Sequence, residues 1–431
     1  MIRRSSGLLL HLTSLPGGRL GAPAERFVDF LAAAGQKWWQ VLPIGPPDPH
    51  GSPYAALSAF AGNERLLAPD ALPADVPGRP ASRPPWLADY ALFRALRDRY
   101  GGPWTAWPRR LRDREPEALQ RARMDHAEAI ASCEHAQQAF DAQWRALRRY
   151  AHEHGVRLIG DVPLFVAHDS ADVWANNDLF KLTQTGRPAV VAGVPPDYFS
   201  REGQRWGNPV YRWDVMRRRR YRWWIARLQR AFELFDHVRL DHFLGLLRTW
   251  EIPARAKTAK RGRWTPGPGA SFLNAVGRRG LIAEDLGLVT PEATRLRKRF
   301  RLLGMHVLQF CFSEDGTLPH EFERNSVVYT GTHDNDTTVG WFRHGGPDRE
   351  LARHYARCRK DQIHWGLIRV AHESPASLAI VPVQDLLGLP SRARMNRPGT
   401  TEGNWRWRLK QGTLTPALAR RLRKLTEDAK R

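Results

Sequence analysis

Cysteine is scarce. Three residues, Cys133, Cys311 and Cys358, stand in 431. An odd number so widely spaced builds no disulfide scaffold and suits a reducing, cytoplasmic compartment. No apolar stretch approaches the roughly 20 residues of a membrane-spanning helix, so no membrane partner is expected. The run Gly7 to Leu12 follows Arg3 and Arg4, but it is brief, contains His11 and precedes no small-x-small cleavage site. It reads as a first buried strand rather than a signal peptide. Neither an internal repeat nor a low-complexity linker is present. Acidic residues are few beside basic ones, 44 against 67, for a formal net charge of +23. Basic chains often bind nucleic acid. Here, however, the aromatics sit beside carboxylates, Gly and Pro rather than interleaving with the basic clusters Arg217 to Arg220 and Arg420 to Lys424. The charge therefore reads as solvated surface, and no nucleic-acid partner is expected. His-Asp-Asn-Asp at 333–336 could ligate a hard metal. Without a His-Glu-x-x-His pattern or clustered His or Cys, metal catalysis is not expected.

What the chain has in excess is tryptophan, 17 residues. Some, such as Trp38 and Trp39, read as core. Others flank Gly and polar residues, as in Trp206-Gly207-Asn208-Pro209, where an indole can stack on the C–H face of a sugar ring. Eight short apolar runs bounded by turn residues read as buried parallel strands. They are Gly7 to Leu12, Trp38 to Ile44, Val156 to Val166, His237 to Phe243, Gly280 to Gly287, His306 to Phe312, Val327 to Asp334 and Leu378 to Asp385. Helical patterns lie between them at Ala24 to Ala34, Tyr221 to Phe235, Pro291 to Phe300 and Arg349 to Gly366. This alternation predicts an α/β fold, a single (β/α)8 TIM barrel over residues 1–431 with subdomain insertions around its C-terminal rim. Residues 45–155 read as an inserted, mainly helical subdomain between strands two and three, with one long helical tract from Glu117 to His152. Residues 176–214 read as a long loop after strand three.

Barrel enzymes carry their chemistry at the C-terminal ends of the strands. Here those ends bear Asp161, Asp241, Glu284 with Asp285, Asp334 with Asp336, and Asp385. Gathering so many carboxylates costs desolvation energy that a structural role alone rarely returns. Glycoside cleavage needs two carboxylates, one to attack the anomeric carbon and one to protonate the leaving oxygen. Arg239, two residues before Asp241 in a strand, points to the same side and can keep it ionised. Glu284, on the adjacent strand, suits the acid, whose pKa burial and neighbouring charge should raise. His333 and Asp334 suit the gripping of ring hydroxyls. Asp285 and Asp336 read as helix N-caps.

Taken together, these segments resemble the amylomaltase family of the α-amylase clan. Arg239-Leu240-Asp241-His242-Phe243 is similar to its nucleophile motif, Ile282 to Gly287 to its acid/base motif and Tyr329 to Thr337 to its stabiliser motif. Gly160-Asp161-Val162-Pro163 resembles the clan's strand-three segment. Leu10 to Gly17, Gly51-Ser52-Pro53-Tyr54, Ser58 to Asn63, Gly193 to Ser200, Gln204 to Pro209, Arg394-Met395-Asn396 and Gly403-Asn404-Trp405 resemble further family segments, so that the likeness runs from about residue 4 to about residue 425. It implies a retaining 4-α-glucanotransferase acting on α-1,4-glucans without metal or organic cofactor; the sequence leaves the oligomeric state open, with a monomer favoured. Asp241 is then the nucleophile, Glu284 the acid/base and Asp334 the transition-state stabiliser. Arg239, His333, Tyr54, Ser52, Asp161, Trp206, Asn208, Tyr198, Phe199 and Asn404 are implied to bind substrate.

Two departures stand out. Leu244 replaces the Arg of many relatives, and the segment from Phe312 to His320 is short. Both bear on the balance between transfer and hydrolysis. The competing readings are an α-amylase-like hydrolase on the same site, a basic nucleic-acid-binding protein and a non-catalytic glucan-binding module. The last has no need of three convergent carboxylates.

Overall fold

The structure, a computed structural model, describes residues 2–68, 84–196, 201–287, 289–313, 316–345, 348–400 and 402–431. In chain order its strands are β1 (Ser5–Leu9), β2 (Trp38–Gln40), β3 (Arg157–Val162), β4 (Val190–Val194), β5 (Gln204–Pro209), β6 (His237–Leu240), β7 (Arg248–Pro253), β8 (Arg263–Pro266), β9 (Leu281–Ala283), β10 (Gly304–Val307), β11 (Ser326–Tyr329) and β12 (Leu378–Pro382). Eight of these pair in parallel in the order β10-β11-β12-β1-β2-β3-β6-β9. A parallel bridge between Ile282 and Leu303, with the Ala283 N–H donating to the Leu303 carbonyl at 2.8 Å, joins the two ends. The fold is the expected α/β barrel.

All eight expected strands are present, and each stops earlier than its apolar run. Past the rim the chain leaves the ladder for short turns such as Leu12–Ser14, Phe243–Leu246 and Leu308–Phe310, which stay largely buried. Apolar character reports burial, not pairing. β11 and β12 are buried along their whole length, as strands covered on both faces must be. Inside the barrel, Trp38, Ile159, Ile282, Met305, Val327, Tyr329, Leu378 and Ile380 form one cluster. The alternate residues Leu8, Trp39, Leu158 and Val238 face outward into the helical layer. Glycine permits the tightest approaches. A Cβ on Gly7 would lie 2.3 Å from the Trp38 carbonyl oxygen, and one on Gly160 2.1 Å from the Phe235 ring.

The helices Ala22–Ala33, Arg222–Leu234 and Pro291–Arg299 occupy their expected segments. The pattern from Arg349 to Gly366 is instead two helices, Asp348–Tyr355 and Ile363–Glu373. The break is at Arg357, whose φ of 43° is a left-handed helix stop, and the polar run that follows offers no apolar face to continue on. The tract from Glu117 to His152 divides likewise at His126 into Pro116–Asp125 and Ala127–Glu153. These two, with Pro85–Tyr100, supply most of the regular structure between β2 and β3. Residues 176–214 are not all loop. They contribute β4 and β5 to a four-stranded antiparallel sheet, β5-β4-β7-β8, set just after the C-terminal ends of β3 and β6. No helix among the described residues is long and apolar enough to cross a membrane.

Candidate active site

Strand register builds the site. β3 pairs with β6 so that Asp161 stands opposite Arg239, and β6 pairs with β9 so that Leu240 stands opposite Ala283. The guanidinium of Arg239, 5% exposed, spans two carboxylates. One N–H donates to Asp161 Oδ2 at 2.7 Å and another lies 2.8 Å from Asp241 Oδ1. The side chain of Asp161 is fully enclosed, whereas that of Asp241 keeps 27% exposure. Of the two, only Asp241 can meet a ligand. Burial opposes the charge of Arg239, but Asp161 and Asp241 outweigh it and hold its pKa well above the usual value.

After Asp241 the chain turns sharply. His242 takes φ 53°, a left-handed conformation that costs a non-glycine residue roughly 1 kcal/mol or more. The turn aims the His242 N–H at Glu284 Oε2, 2.7 Å away, while the Leu286 N–H donates to Oε1 at 3.1 Å. Burial is the largest influence on Glu284. Arg239 and these two N–H groups oppose it, Asp241 adds to it, and its pKa rises to about 7. The His242 imidazole meets the Trp206 indole edge-on at 4.7 Å, and burial lowers its pKa to about 4, so it is neutral.

On the opposite wall, His333 Nε2 lies 3.3 Å from Asp334 Oδ2, and the Asn396 side-chain N–H donates to Asp334 Oδ1 at 2.7 Å. Partial desolvation in the cleft would raise the Asp334 pKa, but His333, Asn396 and Arg239 outweigh it and hold it well below the carboxylate range. Asp334 in turn raises that of His333 against the effect of burial. Tyr54 links the two walls. Its hydroxyl donates to Asp161 Oδ2 at 2.7 Å, and its ring stacks on His333 with centroids 5.0 Å apart. Trp405 leans on both rings, at 5.8 Å and 6.1 Å.

The structure thus brings together Asp161, Arg239, Asp241, Glu284, His333, Asp334, Tyr54 and Trp206. Other anticipated residues are engaged differently. The Ser52 N–H donates to Asp48 Oδ1 at 2.8 Å, and the Asn208 side chain donates to the Val166 carbonyl at 2.9 Å. Asn404 accepts from the Arg397 N–H and donates to Thr400, both at 2.9 Å, so its amide pins the turn that carries Trp405. Tyr198 and Phe199 lie outside the described residues. Asp285 and Asp336 are not N-caps. Asp285 is ion-paired to Arg297 at 2.8 Å and accepts from the Met305 N–H, because a carboxylate buried against the β10 backbone needs a cation. Thr337 caps the helix Thr338–His344 in place of Asp336, which instead accepts from Ser391 at 2.8 Å. Asp385 accepts from Thr330 and from the Thr338 N–H, each at 2.6 Å, and so ties down the segment bearing His333 and Asp334. Asn396 and Trp405 stand in segments singled out by resemblance, but roughly sixty residues separate Asn396 from Asp334, and spacing carries no sign of their contact. Among the described residues no group of three or more His, Cys, Asp or Glu is placed to hold a metal ion.

A closed parallel barrel with carboxylates converging at the C-terminal mouth, flanked by aromatic walls, is the architecture of a carbohydrate-active barrel enzyme. Residues 10–84 and 81–415 match the model of the 4-alpha-glucanotransferase family, and the chain belongs to that family. It is 45% identical to a 4-alpha-glucanotransferase of Thermus thermophilus, over 99% of both chains. With one of Synechocystis sp. it shares 40%, over 99% of this chain and 97% of the other. The solved amylomaltase of Streptococcus agalactiae in complex with acarbose superposes with a TM-score of 0.92 at 34% identity, covering 100% of both chains.

Proposed function

We propose that this chain is an amylomaltase that moves α-1,4-glucan segments from a donor maltodextrin to the 4-hydroxyl of an acceptor glucan or glucose, with retention of configuration. Asp241 attacks the anomeric carbon and forms a glucosyl-enzyme. Glu284 donates its proton to the leaving oxygen and then takes a proton from the incoming acceptor hydroxyl. Asp334 and His333 grip the hydroxyls of the donor ring and favour its flattened, oxocarbenium-like form. Tyr54 and Trp206 provide apolar faces for sugar rings, with Asp161 orienting Tyr54. Ser52, Asn208 and Asn404 shape the loops around the cleft, and Tyr198 and Phe199 meet the acceptor. Residues 45–155 serve as an inserted, mainly helical subdomain above the barrel's C-terminal rim, and 176–214 as a segment bordering the cleft. Three free cysteines suit work in the cytoplasm.

The observation that carries this reading is the pairing of Asp241, held beside the Arg239 cation, with Glu284, whose pKa is pushed up to about 7. A carboxyl group held protonated near neutrality next to a carboxylate ion-paired with a guanidinium is what an acid and a nucleophile require. Incubation with pure maltotriose tests it. Glucose together with a ladder of longer maltodextrins is the expected product set. Maltose and glucose alone, with rising reducing ends, would make the chain a hydrolase on the same site.

A further inference from the structure

Of the 17 tryptophans, only Trp206 and Trp264 stand among the exposed large hydrophobic residues described, at 38% and 39% exposure. Both lie on the small antiparallel sheet, Trp206 on the edge strand β5 and Trp264 on the opposite edge strand β8. Three strand spacings separate these edges, about 14 Å. Trp206 borders the active site through His242. Trp264 takes no part in the machinery described above.

Its setting is that of a rigid platform. Trp250 is its cross-strand partner and meets it edge-on, with centroids 5.1 Å apart. Trp250 is itself anchored, its indole N–H donating to the Ala259 carbonyl at 2.8 Å. Gly262 lies directly against that indole, where a Cβ would come within 2.2 Å. The Arg248 guanidinium lies over one face of the Trp264 ring, 4.2 Å from its centroid, and holds the indole from the β7 side. The sheet is continuous with the cleft. β7 begins seven residues after Asp241, and the Gly267 N–H beyond β8 donates back to the Leu247 carbonyl at 2.7 Å.

We infer that Trp264, braced by Trp250 and Arg248, is a distal binding surface for long α-1,4-glucan chains whose other part occupies the cleft. The inference rests on the proposed function and names its preferred substrate class, chains long enough to reach from the catalytic carboxylates to β8. Arg248 and Trp250 both stand on β7, so the side of the exposed Trp264 indole turned away from β7, where the sheet has no further strand among the described residues, is left to stack on the apolar face of a glucosyl ring. The surrounding cations do not point to a polyanion instead. Arg217 to Arg220 and Arg420 to Lys424 are equally dense in charge and lack an exposed indole, so positive charge is general on this molecule and the platform is particular to this sheet.

The test compares wild type, Trp264→Ala and Trp264→Tyr by migration in native gels containing amylose and by kinetics on amylose and maltotriose. The alanine variant is expected to lose retardation in the gel. Its KM for amylose should rise about fivefold relative to that for maltotriose, the loss of one stacking contact. The tyrosine variant, which keeps a ring, should recover both. Unchanged retardation and an unchanged KM ratio would overturn the inference. So would losses of equal size on the two substrates, which mark a disturbed fold. Salt-sensitive loss of heparin binding with amylose retardation intact would also overturn it, in favour of a polyanion site. If wild type turns over neither substrate, the proposed function fails, while the gel still decides whether Trp264 holds glucan.

Discussion

A carboxyl group that must give up a proton near neutrality has to be held above the ordinary glutamate range, and Glu284 is held at about 7. Transfer activity should therefore fall on the alkaline side of about pH 7, as Glu284 loses the proton it donates, and a kcat/KM profile flat from pH 6 to about 9 would refute that role. The same shift has a thermodynamic sign. Unfolded, the group titrates near 4.5; folded, near 7. Between these values the folded state binds more protons, so its stability falls as pH rises through that window, by on the order of 3 kcal/mol once complete. Glu284→Gln removes the charge. The variant should melt above wild type at pH 8, lose that advantage near pH 4, and be inactive throughout; equal melting at pH 8 would contradict the account. Arg239 makes a second case. Its fork reaches Asp161 and Asp241 at once, and a lysine ammonium has no such planar pair of donors. Arg239→Lys should lower kcat about 100-fold, the cost of one charged hydrogen bond at roughly 2–3 kcal/mol, with little change in far-ultraviolet circular dichroism.

At the level of elements, the segment from Thr330 to Thr337 is fastened from two sides, and the two fastenings should respond differently. Asn396 reaches the Asp334 carboxylate itself, so Asn396→Ala should lower kcat about 10-fold while leaving the melting temperature nearly unchanged. Asp385 holds the backbone below, so Asp385→Ala should cost about 2–3 kcal/mol of stability and be detected first by denaturant unfolding. The reverse pattern would mean that the loop is held by other contacts. These elements also show what can be seen in a sequence. Barrel strands buried on both faces leave unbroken runs such as Val327-Val328-Tyr329 and Leu378 to Val381, and all eight were visible. β5 and β8 leave no comparable run, because edge strands of a half-exposed sheet carry Gln, Arg, Trp and Thr in no fixed alternation. Asp241, Arg239 and Glu284 were legible because neighbouring strands place them together. The Asn396 to Asp334 contact was not, since it depends on how a loop beyond β12 folds back over β11.

For the whole molecule, the net charge of +23 poses a question that the active site answers by its substrate. A field of that size speeds the arrival of anions and makes their binding strongly dependent on ionic strength. A glucan carries no charge, so its approach gains nothing from the field. The charged groups that do matter, Arg239, Asp161, Asp241 and Glu284, are shielded from bulk salt by burial or by direct pairing at 2.7–2.8 Å. The kcat/KM for maltotriose should accordingly vary less than about twofold between roughly 0.05 and 0.5 M salt, although the Debye length shortens several-fold over that range. A decline of tenfold or more would show that substrate or acceptor carries negative charge, or that the exposed arginines order the cleft. Measured beside the Trp264 variants, the salt series separates the two properties of the surface. Glucan held by aromatic stacking is indifferent to salt, and anything held by the cationic shell is not.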